Sequence, residues 1–278
     1  MNGLPGTEAQ LAACCQGSDE DIDVAEASLL LAALDLEHCD LKKYRSHLSE
    51  ISEKVGNHSK NLAPDDVSGR VAVLRHIIAE QYDYFGDNLS YDDIRNASLC
   101  QVIDRRRGLP IAISIIYLSA ARAQSWQAEG INFPGHFLIR LEAEGSRAII
   151  DPFNGGIERN SADLRDLLKH MSGIEAELTP EHYAPITNRE LLIRLLNNIK
   201  VRAISSGDLD HASQIIERML LVDPDESSFL REAGLCYTRL GALDRARSSY
   251  ERFIKLTTDS RARMEVEILL RHLIRKLH

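Results

Sequence analysis

The 278-residue sequence has a single tryptophan, and aromatic residues make up only 5% of it. With few large rings available, its core must be filled by aliphatic side chains. The 44% hydrophobic content suffices for that and excludes disorder throughout. Positive charge is also short, with 33 Lys and Arg against 42 Asp and Glu, a formal net charge of −9. A phosphate-seeking protein needs a basic footprint, so nucleic acid is not an expected partner. The five cysteines (Cys14, Cys15, Cys39, Cys100 and Cys236) are odd in number and show neither CxxC nor other paired ligand spacing. They argue against a disulfide framework or a metal site and for reduced thiols in the cytoplasm. No cofactor is expected. Long apolar runs are missing too. The stretch from Leu109 to Ala123 is interrupted by Ser114, Tyr117, Ser119 and Arg122 and is too short to span a bilayer. Residues 1–10 lack the basic-then-apolar order of a signal peptide. A soluble, cytoplasmic protein without a membrane partner is the expectation.

What is present is organised in three parts. Residues 1–20, with Gly, Pro and small side chains, read as a flexible leader. From Asp21 the pattern is helical, with Ala25, Leu29, Leu30, Ala33 and Leu34 at helical spacing behind an acidic start that suits a helix dipole. Further helices are expected over about Leu41 to Val55 and Val67 to Tyr82, with Phe85 to Asn88 as a turn. Pro110 suits the first turn of a helix, where its missing N–H costs nothing, and Ile111 to Ala123 is apolar on nearly every side, as a central buried helix should be. Short strands follow over Ala128 to Asn132, Phe137 to Glu142 and Arg147 to Ile150, the last two joined at Gly145-Ser146. The middle of the chain is therefore α+β.

Residues 188–278 read as wholly helical and repetitive. Gly207-Asp-Leu209-Asp-His-Ala212 aligns with Gly241-Ala-Leu243-Asp-Arg-Ala246 at a spacing of 34, and the same shift superposes Glu217-Arg218 on Glu251-Arg252. A 34-residue period of paired helices is the tetratricopeptide signature. Gly234, Tyr237, Gly241 and Ala246 carry it in the second unit. The first unit departs from it, with Lys200 and Ala203 standing where the second has Gly234 and Tyr237.

The chemistry-bearing residues lie in the middle part. Pro134-Gly135-His136-Phe137 opens one strand and Asp151 closes the next, so in antiparallel neighbours Asp151 can accept from the His136 imidazole. This is the orienting half of a Cys-His-Asp arrangement. Its missing half would be a thiol at the N-terminus of a buried helix, where the dipole lowers the thiol pKa. Equally, such a pair can simply stitch two strands together. Arg105-Arg106-Arg107 can form a solvated face or meet an acidic peptide near the cleft.

Arg107-Gly108-Leu109-Pro110, Pro134-Gly135-His136-Phe137 and Ile150-Asp151-Pro152-Phe153-Asn154-Gly155-Gly156, followed by tetratricopeptide helices, resemble the SirB-type transglutaminase-like and tetratricopeptide-repeat family of bacterial proteins over about Asp21 to Leu277. The resemblance implies an α+β fold with a helical N-terminal part, a papain/transglutaminase-like core and an all-α repeat tail. The divisions are 1–20, 21–186 and 187–278. It also implies a catalytic set whose base and orienter fall on His136 and Asp151, with Gly108 and Arg122 matching flanking motif positions. The nucleophile position, however, falls on Pro110, which has no nucleophilic atom. Cys100 and Ser114 are the candidate substitutes. The reading is a catalytically inactive transglutaminase-like domain that binds a protein or peptide partner through Arg107, Phe137 and Asn154. The alternative is a cysteine- or serine-dependent amidase, protease or transglutaminase with a displaced nucleophile.

Overall fold

The computed structural model describes residues 6–277. Helix α1 (Thr7–Cys14) stands where the sequence suggests a leader. Thr7, Leu11 and Cys15 recur every four residues and are all buried. They form a stripe one residue wide, too narrow to register as a periodic pattern among alanines. Residues 1–5 of the expected leader lie outside the described residues. Asp23 then caps α2 (Val24–Ala33) by accepting from the Ala25 and Glu26 N–H groups, donors that would otherwise be orphaned. Nine of the ten residues of α2 are buried, as its run of Val, Ala and Leu requires. Asp40 and Asp66 cap α3 (Leu41–Ser59) and α4 (Val67–Leu74) in the same way, and α4 runs on into a π-helical turn over Arg75–Gln81.

The next segment closes around the central helix. Strands β1 (Phe85–Gly86) and β2 (Arg107–Gly108) form a two-residue parallel pair, with α5 (Leu99–Arg105) between them in sequence. Helix α6 (Pro110–Arg122) begins at Pro110 in its first turn and is buried on nearly all sides. Strands β3 (Gln127–Ile131), β4 (Leu138–Ala143), β5 (Ser146–Asp151) and β6 (Ile157–Glu158) make an antiparallel sheet in sequence order. Three of these strands are within one residue of the expected ones. Strand alternation sends Ala128, Ile139, Leu141, Ala148 and Ile150 into the main core, which also holds α6. The opposite face carries Ile131 and Leu138. These form a second, smaller core with Leu164 and Leu168 of α7 (Ser161–Ser172), an element the sequence reading did not anticipate.

Beyond Thr187, which caps the next helix, come α8 (Asn188–Ser205), α9 (Leu209–Val222), α10 (Ser227–Leu240), α11 (Leu243–Leu256) and α12 (Ser260–Leu277). The N-terminal part docks onto these helices. Asp19 accepts from the backbone N–H groups of Asn188 and Arg189, and Asp35 bonds the almost fully buried Arg218 at 2.7 Å. One apolar core runs from α1 to α12.

Candidate functional site

The His136 imidazole and the Asp151 carboxylate are held by the turn before β4 and the end of β5. His136 Nε2 lies 2.9 Å from Asp151 Oδ1, with the two side chains 6% and 0% exposed. Asp151 has four further bonds, all local. Asn154 donates from its side-chain Nδ2 at 2.8 Å and from its backbone N–H at 3.3 Å. Arg159 donates from Nη2 at 2.7 Å and from Nε at 3.1 Å, both to Oδ2. The turn explains how one carboxylate gathers so many donors. Gly155 and Gly156 both have φ +73°, and a Cβ on Gly156 would stand 2.8 Å from the Tyr117 hydroxyl. The chain therefore reverses tightly and brings residue 159 back beside β5, where the Arg159 N–H bonds Ile149 C=O. Burial by itself would raise the Asp151 carboxyl pKa. The bonds from His136, Asn154 and Arg159 outweigh that and hold it below the usual carboxylate range.

The surroundings of His136 are apolar and aromatic. Phe153 meets its ring edge-on at 5.8 Å between centroids. Phe153 in turn lies over Gly86 of β1, where a Cβ would fall 2.2 Å from the ring. Arg194 of α8 donates to the His136 carbonyl at 2.7 Å, which ties the dyad's strand to the first repeat helix.

The other expected residues fall in different places. Among the described residues, Asp151 is the one side chain that hydrogen-bonds the His136 ring. Cys100 instead faces Cys39, at 3.7 Å between sulfurs, and burial pushes its thiol pKa well up. Ser114 is fully buried, its hydroxyl unpartnered among the described residues. Pro110 is buried at the first turn of α6. Of the expected binding residues, Asn154 is exposed and beside the dyad. Phe137 is not available to a ligand: alternation turns it inward, where it is fully buried under the Arg194 guanidinium. Arg107 reaches away to the Asp83 carbonyl and carboxylate. Its neighbours also turn to protein groups, Arg105 to Asp87 and Asn96, and Arg106 to His47 and Tyr84. The arginine run thus fastens the helical N-terminal part to the core and is not a solvated face. Arg122 clamps the Ala128 carbonyl and the Asn188 side chain. Arg159 was missed in the sequence. The available signal was the paired glycines, which require a reversal after Asp151.

Comparison with known proteins agrees with this architecture. Residues 199–271 match a tetratricopeptide-repeat family model. A UPF0162 protein of Xylella fastidiosa is 28% identical over 241 residues, covering 86% of this chain and 85% of that one. One from Vibrio cholerae is 29% identical over 191 residues, covering 68% and 70%. Human F-box only protein 21 is 25% identical over 213 residues, covering 72% of this chain and 33% of its own length. The family model of the transglutaminase-like superfamily matches residues 42–197, the span that holds the central helix, the sheet and the dyad, and the chain belongs to that superfamily.

Proposed function

We infer that the chain is a protein- or peptide-binding module of regulatory or scaffolding type, in which a transglutaminase-like part (21–186) without acyl-transfer activity is joined to a repeat part (187–278). The observation that carries this reading is Pro110 at the start of α6. Covalent acyl transfer needs a nucleophilic atom there, within reach of a general base. Proline supplies none, and both substitute side chains, Cys100 and Ser114, are engaged or enclosed away from the His136 ring. The His136–Asp151 pair then serves architecture. It ties the turn before β4 to the end of β5 and fixes the exposed Asn154 loop.

The repeat part supports binding independently. Helices α8 and α10 each pack against α9 and are linked by the Lys200–Glu232 ion pair. On their outer faces Val201 and Leu235, 34 residues apart, are 49% and 39% exposed. A groove of about 510 Å³ runs between α8 and the start of α10, lined by Ile193, Arg194, Asn197 and Phe229 among others. Apolar positions recurring along paired helices suit an extended or helical segment.

The test is a hydroxamate assay with a glutamine-containing peptide and hydroxylamine, run on the full chain and on His136→Ala. The expected result is no hydroxamate above the protein-free rate with either. Formation that depends on His136 would overturn the binding reading and restore an enzyme with a displaced nucleophile.

A further inference from the structure

On the outer face of the sheet, away from the repeat groove, β5, the chain after β6 and α7 enclose a cavity of about 340 Å³. Four arginines line it (Arg140, Arg147, Arg159 and Arg165), with Glu158 as the one acidic lining residue. Its floor is apolar, from Ile149, Leu164 and Leu178. In a chain of net charge −9 such a concentration of guanidinium groups runs against composition. Two of the four are already committed, Arg140 to Glu129 and Arg159 to Asp151. The side chains of Arg147 and Arg165 are exposed and make no ion pair or hydrogen bond among the described residues.

The strand beneath them is also open. Strand β6 pairs only with Ile150 and Asp151, so Arg147 has a ladder partner, Glu142, on one side and none on the other among the described residues. An edge with free N–H and C=O groups accepts an added strand, and flanking guanidinium groups accept carboxylates in two-point contacts. We propose that this cavity is a docking site for an extended acidic peptide segment, whose backbone follows the β5 edge at Arg147 while its carboxylates meet Arg147 and Arg165 over the apolar floor. Arg159 joins this site to the dyad, because the same guanidinium that lines the cavity holds Asp151.

The site is distinct from the repeat groove, and its test does not read the chemistry of His136. A fluorescein-labelled tetraglutamate peptide is titrated with the full chain and followed by anisotropy at low salt. The double reversal R147E/R165E should weaken binding at least tenfold. R247E/R252E, which makes the same change in total charge on exposed positions of α11, should leave binding within twofold. Both pairs lie on the surface, and equal melting temperatures establish that the variants are folded. Three results would overturn the proposal. They are no binding by the wild-type chain, equal weakening in both double variants, or displacement of the peptide by inorganic phosphate well beyond that caused by chloride at matched ionic strength.

Discussion

Replacing Asp151 by Ala is expected to destabilise the chain by about 3–5 kcal/mol, the usual cost of removing one partner from a buried ionic cluster. For a chain of this size that is a fall in melting temperature on the order of 10 °C. The size follows from the number of groups stranded. His136 loses its bond, Arg159 loses both of its contacts to Oδ2, and the Asn154 turn loses the acceptor for its backbone and side-chain N–H groups. Water relieves least of this at His136, which is 6% exposed and faces a carboxylate with no exposure. Asp151→Asn keeps the shape but turns an amide N–H₂ toward donors, and should cost less than Ala while remaining clearly destabilising.

A pH series separates charge from shape. The folded carboxyl has its pKa lowered, against about 3.9 when unfolded, so its contribution is fully present above the unfolded value and is lost as pH falls through the folded one. Asn cannot titrate. In urea unfolding, the gap between wild type and Asp151→Asn should therefore narrow steadily below about pH 4 as the carboxylate is protonated. A gap that keeps its full size down to the lowest pH at which both fold would show that the carboxylate charge is not what holds this turn.

Much of this cluster was legible in the sequence, and what was not has a physical cause. His136 and Asp151 could be paired because two strands of known spacing put them side by side. The alternation that revealed those strands is strong, since one face of the sheet is wholly apolar. Arg159 could not be assigned because its position depends on a turn with two residues at positive φ, which composition suggests but does not dimension. The arginine run misled for a related reason. Three adjacent charges look like surface, yet Arg106 sits at a left-handed position (φ 60°) that swings it back to His47 and Tyr84. Helix α7 escaped because it buries only Leu164 and Leu168 fully, against a small second core that exists only once the sheet is formed. Phe137 was mistaken for a binding residue by its place beside His136. Neighbours on a strand point to opposite faces, and Phe137 takes the inner one.

The repeat part offers the second large effect, at Gly234, and there the departure of the first unit from the pattern becomes intelligible. A Cβ on Gly234 would lie 2.2 Å from the ring of Tyr250 in α11, a side chain that is itself fully buried. The contact is with the body of the ring, so it cannot be relieved by a flexible tip. Gly234→Val should therefore cost about 3 kcal/mol, at the upper end of overpacking penalties, and lower the midpoint of urea unfolding accordingly. Gly241 is a useful contrast. It caps α10 at φ +73° with open space around its Cβ position, so Gly241→Ala carries only the strain of a left-handed backbone, about 1 kcal/mol. Thirty-four residues upstream of Gly234 stands Lys200, and thirty-four upstream of Tyr250 stands Ile216. The first unit has a larger residue on its leading helix and a smaller one on its second, and Lys200 turns its ammonium to Glu232 of α10. The two units thus fill the same inter-helix space by opposite assignments of bulk. If that is so, Gly234→Val and Tyr250→Ile should be strongly non-additive. The double variant should be more stable than Gly234→Val alone, because the smaller side chain vacates the space that valine needs. Additive losses would mean that Gly234 is required for some reason other than its contact with Tyr250.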